Sequence, residues 1–124
     1  MSKQSINIWD RSFSLAVCYE CYPGEKVLDE QKEALELFLD SDKAIADSRT
    51  KVEKYILKNY ADEVKASAIE NIFKYVMPKS LYVPHDNHLT VAILCNFRFD
   101  AEHGLAVVFE KGKLKEIGTQ DIIL

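Results

Sequence analysis

The stretch Leu89-Thr90-Val91-Ala92-Ile93-Leu94-Cys95-Asn96-Phe97-Arg98-Phe99 is the key to the fold. Leu89, Val91, Ile93, Cys95, Phe97 and Phe99 fall on one side of a period-two pattern. Thr90, Ala92, Leu94, Asn96 and Arg98 take the other. Alternation rich in branched and aromatic residues is the signature of a β-strand. Ala92 and Leu94 make the second side partly apolar, so the spacing predicts a central strand, covered on both faces for part of its length.

Toward the C-terminus, Asp100-Ala101-Glu102-His103 reads as a short connection. Gly104 supplies a residue that tolerates positive φ. Gly104 to Glu110 is the next strand, Lys111-Gly112-Lys113 a hairpin turn, and Leu114 to Ile117 the return strand. Pairing across that turn sets Ile117 and Gly118 beside roughly Ala106 and Leu105. A three-stranded meander of this kind needs an apolar layer packed on one face.

Upstream, Ile6 to Trp9 reads as a short strand and Asp10-Arg11 as a turn. Phe13, Leu15, Val17, Tyr19 and Cys21 line one face of a longer strand that ends at Tyr22-Pro23-Gly24. Asp29 is the expected N-cap of a helix over Glu30 to Leu39, with Ala34, Leu35 and Phe38 inward. A second helix starts at Ser41 or Asp42. Its inner stripe is Ile45, Val52, Ile56 and Tyr60, with Ser48 and Asn59 on the same side. A third helix is expected near Val64 to Val76, stopped by Pro78. Leu81 to Val83 reads as a short strand closed by Pro84, and His85-Asp86-Asn87-His88 as a turn. The fold class expected is α+β, one domain over residues 1–124. It has an antiparallel sheet of five to six strands, with two to three helices inserted between an N-terminal strand pair and the C-terminal meander.

Composition narrows the function. The chain has 124 residues, enough for one core, and a net charge of −4. The charge is uneven: residues 25–47 hold eight acids and three bases, and residues 49–79 hold seven bases and four acids. That division argues against nucleic acid as the main ligand and fits docking on a basic protein. No apolar run reaches the ~18 residues of a membrane span, and the N-terminal residues lack a signal core, so a cytoplasmic protein is expected. The three cysteines, Cys18, Cys21 and Cys95, are odd in number and fit a reducing compartment. Cys18 and Cys21 match a CxxC spacing. On a strand, however, positions i and i+3 face opposite ways, so no redox pair or disulfide is expected between them.

Candidate site residues come from two places. The meander geometry brings Asp121 back to the sheet end that carries Asp100, Glu102 and His103. This cluster suits either a small acid–base or metal site or plain turn chemistry. Acids on the outer side of the first helix, Glu30, Glu33, Glu36 and Asp40, form a candidate acidic binding face. His85 and His88 have a chelating spacing, but the strand between them and His103, about 35 Å long at ~3.3 Å per residue, keeps the two ends apart. No phosphate loop, GxSxG elbow or HExxH helix occurs. No catalytic residue, metal or cofactor is assigned.

The pattern Asp100-x-Glu102-His103-Gly104, strand, turn, strand, Ile117-Gly118-x-Gln120-Asp121 resembles the C-terminal signature of a group of small bacterial domains of unknown function. The layout around Trp9, Phe13 to Cys21 and Pro78 to Val83 is similar as well. Some members resemble immunity proteins of contact-dependent toxin systems. The resemblance implies a protein-binding role with a toxin domain as partner, and carries over no catalytic residue. The alternative expectation is a small enzyme or metal-binding domain using Asp100, Glu102, His103 and Asp121.

Overall fold

The computed structural model describes residues 3–86 and 88–124. Chain order is β1 (Lys3–Ile8), β2 (Arg11–Tyr19), α1 (Asp29–Leu39), α2 (Asp42–Val64), β3 (Val76–Val83), β4 (Thr90–Phe97), β5 (Leu105–Glu110) and β6 (Lys113–Gly118). Single 3₁₀ turns lie at Ile72–Lys74 and Gln120–Ile122. The strands lie side by side in sequence order in one six-stranded sheet.

The sheet is mixed, which corrects the expected antiparallel arrangement. β2 and β3 run parallel, from Ala16 beside Ser80 to Tyr19 beside Val83; the other neighbours are antiparallel. Alternation tells which face a side chain takes, not which way its strand runs. Direction depends on where the connection delivers the chain, and here a long helical crossover returns it to the end from which β2 began.

Several element boundaries also differ from expectation: β1 runs over Lys3–Ile8 with Trp9 in the turn, and β2 stops at Tyr19. No helix covers Val64 to Val76: α2 ends on Lys65 in the left-handed region (φ 57°), and only the 3₁₀ turn at Ile72–Lys74 follows. The apolar spacing of Ile69, Ile72 and Phe73 reflects packing of a connection, with Ile72 fully buried. The short strand expected at Leu81 to Val83 is the end of an eight-residue strand that runs through Pro78. The β3–β4 register shifts between Pro78 and Ser80, and a proline without an N–H is accommodated where the ladder is irregular. The long strand expected from Leu89 to Phe99 is trimmed to Thr90–Phe97. Leu89 has φ 55°, and the Arg98 N–H donates to the Tyr75 carbonyl.

Two tight hairpins fix the ends of the sheet. Ile8 faces Arg11, so the turn is Trp9-Asp10, both at positive φ (54° and 67°). The second turn is Lys111-Gly112, at 54° and 75°. Positive φ at both central residues matches the twist of the flanking strands. Tryptophan is an unusual occupant of such a position. It is held there because its ring is buried and its indole N–H donates to Ser48 Oγ of α2 at 3.0 Å.

One face of the sheet packs on both helices. Leu15, Val17, Leu81, Ile93, Val107 and Phe109 meet Ala34 and Phe38 of α1 and Ile45, Val52 and Ile56 of α2. Phe38 and Phe109 pack edge to face at 5.1 Å. The inner stripe of α2 includes Ser48 as expected, whereas Asn59 is exposed and bonds back to the Tyr55 carbonyl. On the other face Ala92, Ala106 and Val108 are buried beneath Tyr82, Leu94 and Ile123. β4 is thus covered on both faces, on the second by neighbouring side chains and the C-terminal turn. Among the described residues, no helix is long and apolar enough to cross a membrane.

Candidate functional site

The loop after β4 places the rim residues. The Asp100 carboxylate accepts the His103 backbone N–H at 3.1 Å, and the Gly104 N–H donates to the Asp100 carbonyl at 2.8 Å. These are the bonds of an Asp-initiated turn. The same carboxylate contacts His103 Nδ1 at 3.0 and 3.2 Å. The His103 N–H and ring together hold Asp100 below the usual carboxylate range. Asp100 in turn raises His103, with smaller contributions from Glu102 and Asp121. The structure therefore joins Asp100 to His103 directly and brings Glu102 and Asp121 close enough to act through their charge. Glu102, His103 and Asp121 are exposed. Among the described residues there is no group of three metal-ligating side chains.

The surrounding motif has structural work to do. The Gln120 N–H donates to the His103 carbonyl at 3.1 Å, and Gln120 Nε2 donates to the Cys95 carbonyl at 3.2 Å. Gly104, at φ 63°, lies under that amide: a Cβ there would be 2.5 Å from Gln120 Nε2 and 2.7 Å from the Cys95 carbonyl oxygen. Asp100, His103, Gly104 and Gln120 together lock the C-terminal turn onto the end of β4.

The acidic face is a property of α1. Gln31, Ala34 and Phe38 turn inward, which leaves Glu30, Glu33, Glu36 and Asp40 exposed. Glu30, Glu33 and Asp40 share one side of the helix with Leu37, whose residue surface is 36% exposed. None of the four carboxylates has an ion-pair partner among the described residues. Glu36 lies near enough to Tyr19 to add to the rise that burial imposes on its phenol.

α1 begins one residue earlier than expected. Leu28 is the N-cap, and the Leu28 N–H donates to the side chain of Gln31 at 2.8 Å. Gln31 itself is buried and donates to the carbonyls of Glu20 (2.8 Å) and Val83 (3.1 Å). One amide thereby ties the helix to the carboxyl ends of the two parallel strands.

A second polar cluster sits at those ends, unseen in the sequence. Glu20 accepts the His85 backbone N–H at 2.9 Å. That bond, with the nearby Tyr82 hydroxyl, keeps Glu20 below the usual carboxylate range. Burial and the neighbouring Glu20 push Tyr82 up to about 12. The His85 ring packs edge-on against Tyr22, and its Nε2 lies 3.1 Å from Glu25 Oε2. The contact is off-axis, so buried Nε2 has an ionic neighbour but no hydrogen-bond partner. Glu20 and His85 are 65 positions apart, and only the parallel pairing of β2 with β3 brings them together. The expected turn over His85 to His88 includes Asn87, which lies outside the described residues. The His88 N–H donates to Asp86 Oδ1. All three cysteines are free: Cys21 is exposed, Cys18 half-buried and Cys95 buried.

No curated protein and no solved structure matches the chain. A family model does match, and it spans residues 1–124. The chain belongs to the family described as Domain of unknown function (DUF6985).

Proposed function

We propose that this chain is a protein-binding domain that docks through the carboxylate side of α1, and that it acts as an immunity-type protein masking a basic toxin domain. One observation carries the reading. Glu30, Glu33 and Asp40 share one helix side with the partly exposed Leu37, and none of them has an ion-pair partner among the described residues. An apolar anchor beside like charges suits a partner of opposite sign, which the charges attract from a distance and then register. The outer side chains of α1 contribute little to the core, so the face is free to serve recognition. The test is co-expression with the product of the neighbouring gene. The parent chain should bind that product and protect growth. The variant E30K/E33K/E36K/D40K, checked for unchanged melting, should do neither. Equal binding by parent and variant would remove α1 from the interface.

A second reading, a small acid–base or metal-binding domain, draws on the Asp100–His103 contact, which orients the ring as catalytic histidines are oriented. Here zinc or manganese should raise the melting temperature, and His103→Ala should abolish the rise. A melting temperature indifferent to both metals would eliminate its metal-binding form.

A further inference from the structure

We propose that the groove between α2 and β6 receives an acidic peptide in extended conformation, added as a seventh strand. This surface is separate from the α1 face, and the inference does not rest on the function proposed above. Lys51, Lys54 and Lys58 line one side of the groove with Tyr55 between them, and Leu114, Lys115 and Ile117 of β6 line the other. Its volume is about 420 Å³. Lys51, Lys54 and Lys58 have no ion-pair partner among the described residues, and Lys115 reaches only Glu110, at 3.7 Å. The lining includes one acid, Glu116. Four lysines against one glutamate give the groove a local positive charge in a chain whose net charge is −4. Lysines three and four apart repel one another along a helix, so the row weakens α2 unless anions are brought to it.

β6 ends the sheet, and no backbone group of Lys113–Gly118 bonds to anything beyond β5 among the described residues. An unpaired edge is a template for another strand. The lysines decide which strand. A second copy would bring Lys113 and Lys115 against the same residues, and the bulge that leaves Lys115 without a partner on β5 further disfavours self-pairing. An acidic strand meets neither obstacle. Every second side chain would point toward α2, where carboxylates meet the ammonium groups beside the half-buried Tyr55, Leu114 and Ile117. A strand edge presents N–H and C=O groups in turn, and a peptide backbone pairs with both, whereas the phosphates of DNA accept from the N–H groups but offer the carbonyls no donor.

The probe is a capped peptide of alternating glutamate and valine, roughly eight residues long, an ordinary strand length. It is titrated into the full chain labelled with nitrogen-15. The expected result is saturable shifts at the amides of Lys113–Gly118, and binding about tenfold weaker in K51E/K54E/K58E. K54E alone places an acid four residues before Lys58, a favourable spacing on α2, so this variant should melt no lower than the parent and still bind more weakly. E30K/E33K/E36K/D40K should bind the peptide no more weakly than the parent, which separates this proposal from the α1 reading. Absence of saturable binding would overturn it. So would shifts confined to the lysines with β6 amides unmoved, or displacement of the peptide by equimolar duplex DNA, which would make the groove a general polyanion patch.

Discussion

At Gly104 the backbone, not the side chains around it, carries the constraint. The residue combines φ 63° with carbonyl and amide neighbours that a methyl group would overlap. Gly104→Ala should cost roughly 1–3 kcal/mol in urea denaturation. His103→Ala, next to it, should leave the midpoint within the scatter of surface changes, because the ring is exposed. A larger loss for His103 than for Gly104 would assign the cluster more than a turn. The Asp100–His103 contact also fixes a pH dependence. His103 is raised when folded, so its contribution is complete below the unfolded histidine pKa and fades as pH rises through the folded value. Asp100 is lowered, so its contribution is present above the unfolded carboxylate pKa and is lost as pH falls through the folded value. Proton NMR should find His103 titrating above the ordinary histidine value. Asp100→Asn, which keeps an acceptor for the turn, should return it downward; an unmoved titration would mean the ring is not paired with Asp100. The thiols divide by environment: burial raises Cys95. A thiol reagent should label Cys21 quickly in the native protein and leave Cys95 unlabelled until denaturation.

Among the elements, two of the contacts that hold the helices in place are testable by single substitutions. Phe109 of β5 is 1% exposed and packs on Phe38 of α1. Phe109→Ala should cost about 3–5 kcal/mol, the range for truncating a buried aromatic. A loss under about 1 kcal/mol would mean that this face collapses without strain. Ser48 of α2 accepts the Trp9 indole N–H, and its own hydroxyl bonds the Ile45 carbonyl. Ser48→Ala leaves a buried donor unpaired and should cost about 1–3 kcal/mol. In the background Trp9→Phe, which lacks that donor, the same change should cost less. A double-mutant cycle reads the difference, and additivity would show that the bond contributes nothing.

For the whole molecule, the strand order sets which parts open first. β1 and β6 have one neighbour each, whereas β2, β3, β4 and β5 have strands on both sides. Local opening follows burial and pairing, so hydrogen exchange should be slowest in the amides of Val91 to Cys95 and of Leu105 to Phe109, and fastest in Lys3–Ile8. Equal protection of β1 and β4 would mean that the sheet opens only as one unit. The mixed sheet gathers Glu20, Tyr82 and His85 at one end and leaves the Asp100–His103 turn and the α2–β6 groove elsewhere.

Faces and turns follow from local residue order. Alternation in Leu89 to Phe99 specifies a strand covered on both sides, since side chains on a strand must alternate and Ala92 and Leu94 break the polar half of the pattern. Gly104 and Lys111-Gly112 mark tight connections because few residues tolerate positive φ. The exposed acids of α1 are legible from helical spacing, and Asp100 with His103 from their place in one short loop. Strand direction, the extent of β3 and the partner of each polar group are instead settled by the assembled fold. Whether β2 and β3 run parallel depends on the path of the 56 residues between Tyr19 and Val76, which no local pattern encodes. The bulge at Lys115 moves Gly118 beside Ala106, one position from the expected pairing, because a single unpaired residue shifts every partner after it. Burial of Gln31 is hidden from the sequence for a similar reason. A polar side chain on the inner face of a helix becomes stable only when distant carbonyls, here those of Glu20 and Val83, are delivered to it by the completed fold.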